Sequence, residues 1–408
     1  MTGILKTLYA AAAFGLVSLS AAASAINDNA PEKPRITHSA SLSGAGGYVF
    51  QTNPFFKGEN SEGSPIRKTF STHLKYSFRW NPGTYFGDSY PYTSQGIGLA
   101  YNTFCNGIEV GTPTALFIFQ NSRIASLAPN LSLDYEWNFG ISFGWRPFDE
   151  ESNARNYVVG SKMNAYINLG LLLNWSFAPH WSLTAGAALS HYSNGNTKYP
   201  NAGVNTIEGR LGIHRSFGGE SAPRLERKSW KRGEFHKHVS YDIILYGAAR
   251  KKAVIFDDGA YIVPGKFGVA GFNFNPLYNF SRFFRAGLSL DMQFDESANI
   301  KDHIANDCPN AHMEIKFHRP PAIEQISLGI SARAEIVMPV FSINIGIGKN
   351  LIAKGDDTES FYQIFALKAD VFRNLFVHIG YQLYRFKDPN NLMIGIGYRF
   401  NSRRMREK

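Results

Sequence analysis

The sequence predicts an all-β protein, a transmembrane antiparallel β-barrel with more than eight strands, about 12–16. Apolar and polar residues alternate along many segments of about ten residues, as in strands with one apolar face. Aromatic residues make up 14% of the chain, yet the mean hydropathy is only −0.21 because polar residues are interleaved with apolar ones. After residue 25 no stretch approaches the ~18 uninterrupted apolar residues of a membrane helix.

The clearest strand pattern covers residues 131–146. One parity is entirely apolar: Leu131, Leu133, Tyr135, Trp137, Phe139, Ile141, Phe143 and Trp145. The other parity carries Asp134, Glu136 and Arg146 among small or polar residues. This alternation fits a barrel wall around a polar lumen, and it also fits a large soluble sandwich with one wet face. Charged residues on the inward parity and aromatics near strand ends favour the barrel.

The chain begins with features of a secretory signal, which we predict to span residues 1–25. Lys6 precedes an apolar run from Leu8 to Leu19, and Ala23-Ser24-Ala25 has the small residues of a cleavage site. A secretory signal followed by a barrel predicts the outer membrane of a Gram-negative bacterium.

We expect residues 26–400 to form a single barrel. The predicted strands are 38–50, 71–80, 95–104, 113–121, 131–146, 163–177, 181–193, 205–215, 239–250, 264–276, 282–294, 326–337, 341–349, 361–371, 374–386 and 391–400. The alternative is two consecutive barrels joined by residues 216–238. Beyond the barrel, residues 401–408 form a basic tail that we place in the periplasm.

Connection lengths predict which end of the barrel faces outward, because outer-membrane barrels keep short turns in the periplasm and long loops outside. Tight turns at 178–180, 338–340 and 372–374 are expected to be periplasmic, and links 147–162, 295–325 and 350–360 extracellular. The net charge of +10 is concentrated in the tail and in residues 224–237. Both read as solvated segments, so we expect no nucleic-acid partner.

The sequence has two cysteines, Cys105 and Cys308, which are too few for a disulfide framework. Both fall in predicted loops on the extracellular side. A single bridge and two unrelated thiols are both compatible with this placement.

Three polar residues share the lipid-facing parity of one hairpin. His191 and Ser193 continue the row Trp181, Leu183, Ala185, Ala187 and Leu189. Asn205 shares the parity of Ile207, Leu211 and Ile213 in the next strand. The predicted topology puts all three at the extracellular end, and hence facing the outer leaflet. A serine next to a histidine with an orienting third group can attack an ester, although His-x-Ser alone is also a common chance pairing.

The segment His191-Tyr192-Ser193-Asn194, followed by Pro200-Asn201 and Gly203, resembles the active-site segment of the outer-membrane lipid A 3-O-deacylases of the PagL type. The resemblance implies Ser193 as nucleophile, His191 as base and Asn194 as oxyanion donor. It is clear over about 180–215 and looser back to about 95, so residues 95–215 form the deacylase-like part. Residues 238–400 would be additional strands closing the barrel.

The third member of the site departs from the family pattern, because Asn205 stands where the family has a glutamate. An asparagine can orient a histidine but cannot stabilise imidazolium by charge. Glu208 lies on the lumen parity and could replace it only if a bulge shifted the register.

The resemblance implies a serine esterase that removes an ester-linked acyl chain from lipid A in the outer leaflet, its lipopolysaccharide partner. This chemistry needs neither a metal nor an organic cofactor. The rival hypothesis is a non-catalytic barrel, either a porin-like channel or a hydrophobic transporter, that retains a deacylase-like hairpin. The acyl position cleaved and the oligomeric state do not follow from the sequence.

Overall fold

The structure is a computed structural model that describes residues 36–217, 235–256, 259–306, 315–358, 361–372, 374–386 and 388–401. The expected signal peptide, the segment 218–234 and residues 402–408 of the tail lie outside the described residues. Within the ranges given, no helix is long and apolar enough to cross a membrane.

The first unit is a closed barrel of eight antiparallel strands. Its strands are β1 Ile36–Val49, β2 Lys68–Trp80, β3 Thr93–Thr103, β4 Gly111–Ala128, β5 Leu131–Trp145, β6 Met163–Ala178, β7 Trp181–Ser193 and β8 Val204–Phe217. Each strand pairs with its chain neighbour, and β8 returns to β1, where Ser43 pairs with Gly212. Two short helices, Pro54–Lys57 and Tyr85–Ser89, lie in the connections after β1 and β2.

The extracellular half of the first barrel's interior is filled by its own side chains. Towards the long loops it holds an apolar cluster that includes Phe104, Phe117, Trp145, Tyr166 and Tyr192. Below this cluster lies a network of buried ion pairs. Glu136 accepts from Lys75 Nζ at 2.6 Å and from Arg210 Nη1 at 2.9 Å. An eight-stranded barrel is just wide enough for such side chains to fill it.

The second unit is another closed barrel of eight antiparallel strands. Its chain contains β9 His238–Arg250, β10 Ala253–Phe256, β11 Gly259–Ile262, β12 Phe267–Asn279, β13 Phe284–Asp295, β14 Ile326–Val337, β15 Phe341–Ile352, β16 Phe361–Phe372, β17 Leu375–Tyr384 and β18 Asp388–Phe400. β10 and β11 form a separate hairpin, and β18 returns to β9 to close the barrel. The 3₁₀-helix Ile300–His303 and the short helix Ala322–Gln325 lie between β13 and β14.

The second barrel also has a charged interior that is paired within itself. Lys368 Nζ lies 2.9 Å from Asp242 and 2.7 Å from Glu335. Arg399 Nε binds Asp242 at 2.7 Å, and Arg285 binds Glu335. A buried ion is strongly destabilising without its partner, so these inward charges specify the packing of this barrel.

The all-β, antiparallel transmembrane fold class is confirmed, and the strands observed in the barrels follow the predicted ones closely. The expectation of one barrel over residues 26–400 is corrected, because the strands close as two barrels of eight. The reason is that β8 pairs with β1 and β18 pairs with β9, so that each set of eight strands closes on itself. The first barrel also begins before the expected deacylase-like part, since β1 and β2 complete it.

The two ends of the first barrel differ in the length of their connections. At one end β4 and β5 are joined by residues 129–130, β6 and β7 by residues 179–180, and β2 and β3 by the longer segment 81–92. At the other end the connections 50–67, 146–162 and 194–203 are long. The long end is therefore extracellular and the short end periplasmic. β7 runs outward and β8 runs back, so the loop between them lies outside.

Candidate active site

The hairpin of β7 and β8 brings His191, Ser193 and Asn205 together on the outer wall. His191 is directly paired with Asn205 across the two strands. Side chains alternate along each strand, so the neighbours Tyr192 and Val204 point inward and are buried. The three outward side chains are half-buried.

A continuous chain of hydrogen bonds links the three side chains. His191 Nδ1 lies 2.7 Å from Asn205 Oδ1, and His191 Nε2 lies 2.9 Å from Ser193 Oγ. An amide oxygen only accepts, so the proton of the neutral imidazole is held on Nδ1. Nε2 is then left as the acceptor for the Ser193 hydroxyl proton. This is the tautomer that a general base needs.

The inward neighbour Tyr192 anchors the strand end that carries the site. Its hydroxyl donates to Asn102 Oδ1 at 3.0 Å. Its ring packs on Trp145 and Tyr166, with centroids 5.1 Å and 5.2 Å away. Aromatic pairs of this kind stabilise the folded state beyond the contribution of burying their apolar surface. The end of β7 is therefore held from inside the barrel while His191 and Ser193 face out.

The connection after Ser193 is ordered by its own side chains. The Asn194 backbone N–H donates to Asn201 Oδ1 at 2.9 Å, and Asn194 Nδ2 donates to the Lys198 carbonyl at 2.8 Å. Thr197 Oγ1 donates to the Asn194 carbonyl at 2.9 Å. The candidate oxyanion residue Asn194 is therefore buried, with one amide hydrogen committed to the loop. Sequence reasoning assigned no role to Asn201, which sets the direction of the chain as it leaves Ser193.

Gly203 supports the imidazole from the other side of the loop. Its φ is +76°, a conformation that favours glycine. A Cβ at this position would lie 3.2 Å from His191 Cε1 and 3.1 Å from the Tyr192 carbonyl oxygen. Gly203 therefore allows the loop to lie directly against the histidine ring. The sequence motif contained Gly203 but did not predict this contact.

The wall around the three polar residues is apolar. Ile167 of β6 is paired with His191, and Leu189 of β7 is paired with Ile207 of β8. The side chains of Ile167, Leu189 and Ile207 are 42–49% exposed. Large exposed apolar surfaces on a barrel wall face lipid. The hydrogen-bonded chain thus lies at the extracellular edge of a lipid-contacting surface.

Two family models match the chain. The model for lipid A 3-O-deacylase (PagL) matches residues 123–214, and the model for the C-terminal domain of acyloxyacyl hydrolase (PagL_C) matches residues 239–402. The chain is thus similar to the lipid A 3-O-deacylase (PagL) family. One match falls within the first barrel and the other covers the second. These matches, on two closed antiparallel barrels, place the protein in the outer membrane of a Gram-negative bacterium.

Several solved structures are similar to the chain. Neisserial surface protein A is 11% identical with a TM-score of 0.30, over 45% of this chain and 98% of that one. The outer membrane enzyme PagL is 18% identical with a TM-score of 0.28, over 42% of this chain and 97% of that one. The siderophore receptor PirA from Pseudomonas aeruginosa is 9% identical with a TM-score of 0.23, over 91% and 81%. No curated protein matches the sequence.

Glu208 lies away from the hydrogen-bonded chain. Its carboxylate is buried in the lumen, where it accepts from Ser71 Oγ at 3.2 Å and from Thr206 Oγ1 at 3.1 Å. The pairing of β7 with β8 continues from Trp181–Arg215 to Tyr192–Val204 in one register. Glu208 therefore remains on the inner face, and Asn205 is the residue that contacts His191.

The cysteines lie apart from this site. Cys105 is an exposed free thiol in the extracellular connection after β3. Cys308 lies outside the described residues. Among the residues that the structure describes, no group of three His, Cys, Asp or Glu side chains is arranged to hold a metal ion.

Proposed function

We propose that the protein is an outer-membrane lipid A deacylase, a serine esterase with Ser193, His191 and Asn205 as its catalytic residues. The observation that carries the proposal is the hydrogen-bonded chain from Asn205 through His191 to Ser193 on a lipid-facing wall. The match of residues 123–214 to the lipid A 3-O-deacylase model supports lipid A as the substrate class.

The first half of the reaction forms an acyl-enzyme. Ser193 Oγ attacks the ester carbonyl of the lipid while its proton passes to His191 Nε2. The tetrahedral intermediate then collapses and breaks the bond between the carbonyl carbon and the sugar oxygen. The imidazolium returns its proton to that oxygen, and the deacylated lipid leaves with a free hydroxyl.

The second half regenerates the enzyme. A water molecule gives its proton to His191 Nε2 and attacks the acyl carbonyl on Ser193. Collapse breaks the bond to Ser193 Oγ, which recovers the proton, and a free fatty acid is released. Neither half requires a metal or an organic cofactor.

Asn205 orients the base in this proposal. Its amide oxygen holds the Nδ1 proton and so keeps Nε2 directed at Ser193. It lacks the charge of the family's glutamate, so the imidazolium formed during attack is stabilised less. We expect slower turnover than a carboxylate would give.

We assign Asn194 to the oxyanion. One Nδ2 hydrogen donates to the Lys198 carbonyl, and in this proposal the second hydrogen donates to the developing negative charge. A donor fixed in advance stabilises the transition state without reorganisation. Asn194→Ala should therefore lower turnover more than substrate affinity.

The interior of the first barrel gives no support to the porin-like alternative. The apolar cluster around Tyr166 and Tyr192 fills the extracellular half, and the ion pairs of Glu136 lie below it. Ions or solutes would have to displace both layers. A lipid that reaches Ser193 from the membrane encounters neither.

Covalent trapping of the nucleophile tests the proposal. The purified protein in detergent is treated with a lipophilic fluorophosphonate and digested, and the modified peptide is identified by mass spectrometry. We expect modification of Ser193 that is lost in His191→Ala. Ser190→Ala is the matched control, because Ser190 lies on the same strand but faces Asn168 in the lumen. Absence of modification in active protein, or modification elsewhere, would refute the assignment.

A further inference from the structure

The periplasmic half of the first barrel contains a large polar cavity. Its volume is about 1320 Å³. Residues of both short turns line it, including Asn130 and His180, so it extends to the periplasmic end. Its inner limit includes Glu136 and Arg210, beneath the apolar cluster. The cavity is thus accessible from the periplasm and lies away from the outer wall that carries Ser193.

The charges lining this cavity do not balance. Four cationic side chains face two carboxylates: Lys75, Arg79, Arg123 and Arg210 against Asp134 and Glu136. Glu136 is already shared by Lys75 and Arg210. Only Asp134 remains for the two other arginines.

Asp134 is largely occupied by neutral donors. It accepts from Ser132 Oγ at 2.7 Å and from Asn174 Nδ2 at 3.2 Å. Arg123 Nε approaches it only to 4.0 Å, and the Arg123 guanidinium lies over the Tyr92 ring at 4.4 Å. The carboxylate therefore leaves much of the Arg123 charge unneutralised.

Arg79 has no acidic partner among the described residues. Its Nε is buried without a hydrogen-bond acceptor. The strongest effect of another charged side chain on it is repulsion from the like charge of Arg123. Two cationic side chains on one cavity wall repel each other, and an anion bound between them would offset this repulsion.

We propose that this cavity binds a soluble phosphate or phosphate monoester between Arg79 and Arg123. Two guanidinium groups suit phosphate, because each presents a planar fork of donors to its oxygens. The doubly negative anion also matches the excess of two positive charges. Ser77, Ser94 and Asn121 line the same cavity and supply neutral donors. The site is independent of the proposed esterase chemistry.

Thermal unfolding of the full-length protein in a zwitterionic detergent tests the site. Inorganic phosphate is titrated while chloride is withdrawn to hold ionic strength constant. Ligand that binds only the folded state raises the unfolding temperature in a saturable way. We expect Arg79→Gln and Arg123→Gln each to weaken the apparent affinity at least about tenfold, since each guanidinium supplies charge-assisted hydrogen bonds to the anion.

Arg215→Gln is the matched control. Arg215 lies near the same end of the barrel, but it stacks on Trp181 at 5.0 Å and does not line the cavity. Its variant should keep the phosphate response. A response absent from the wild type, or lost equally in Arg215→Gln, would overturn the proposal. So would a response produced only by phosphatidylglycerol added to the micelles, which would assign a lipid headgroup.

Unfolding measured without phosphate distinguishes a phosphate-binding role of Arg79 from a purely structural one. If the role of Arg79 is to bind phosphate, Arg79→Gln should keep or raise the unfolding temperature in phosphate-free buffer, because the repulsion between Arg79 and Arg123 is removed. An equal loss of stability with and without phosphate would assign Arg79 a purely structural role. Arg123→Gln and isothermal titration of the wild type with phosphate decide the question if Arg79→Gln does not fold.

Discussion

Asn205 is the residue whose role is most open to a decisive test. If its amide oxygen orients His191, Asn205→Ala should lower turnover at least about tenfold without unfolding the barrel, since general base catalysis contributes about 10²–10⁴-fold. Asn205→Glu should keep or raise activity by adding charge next to the imidazolium. Both are measured as rates of lipid A deacylation.

The control for Asn205 is Glu208→Gln, which alters the lumen carboxylate held by Ser71 and Thr206. It should retain activity. A neutral Asn205→Ala together with an inactive Glu208→Gln would reverse the assignment of the orienting residue.

A second prediction at the level of single residues concerns Gly203. Gly203→Ala places a Cβ about 3.2 Å from His191 Cε1 and forces a strained backbone. We expect turnover to fall by about tenfold to a hundredfold through displacement of the ring. Stability should fall by only about 1–2 kcal/mol.

Gly209→Ala is the comparison for Gly203, because a Cβ at Gly209 would meet only the Gly46 carbonyl oxygen, at 3.9 Å. Heat-modifiable migration on gels reports folding of both variants. Equal activity of the two would show that the loop does not position His191.

The ion pairs of the first barrel lead to a prediction about how its strands hold together. Glu136→Leu leaves Lys75 and Arg210 buried without their carboxylate, on β2 and β8. Removing one partner of a buried pair costs about 3–5 kcal/mol. The unfolding midpoint in urea should fall accordingly, whereas Glu150→Leu on an exposed loop should change it little. Equal midpoints would mean that water already separates these charges.

Strand direction is tested by Cys105, which follows β3 on the side of the long connections. A membrane-impermeant maleimide should label it on intact cells in a Cys308→Ser background. Labelling only after the outer membrane is permeabilised would invert the topology and place the Ser193 loop in the periplasm.

Most strands of the barrels were predictable because each barrel strand shows period-two alternation in its own sequence. The bounds of β7 were predicted as observed, Trp181–Ser193. β4 continues to Ala128, beyond its expected end at residue 121, because Arg123 and Ser126 pair with β5 across register shifts. The hairpin of β10 and β11 was missed because its four-residue strands are too short to show a period.

The site was predictable in part for the same reason. Parity alone placed His191, Ser193 and Asn205 on one face. The bonds from Asn194 to Asn201 and the contact of Gly203 with His191 depend on the loop path, which alternation does not encode.

At the scale of the whole molecule, the division into two barrels could not be read from strand patterns. A strand that pairs with β1 and one that pairs with β9 carry the same alternation, so closure depends on long-range pairing. The segment 216–238 was one indication, since it is too long and too basic for an ordinary short turn.

Closure of β8 on β1 predicts that the first barrel folds without the second. Residues 26–217, refolded in detergent, should give a heat-modifiable barrel, because no strand edge is left unpaired. A chain ending at residue 178 lacks β7 and β8 and should aggregate. Aggregation of both would argue for a single larger barrel.

Mass spectrometry of lipid A tests the central claim most directly. Lipid A is extracted from cells that produce the wild type, Ser193→Ala or Ser190→Ala at equal levels in the outer membrane. We predict that the wild type and Ser190→Ala convert lipid A to a species lighter by one ester-linked acyl group, and that Ser193→Ala reduces this conversion by more than about a thousandfold. Unchanged lipid A in wild-type cells, or equal conversion by Ser193→Ala, would contradict the esterase assignment.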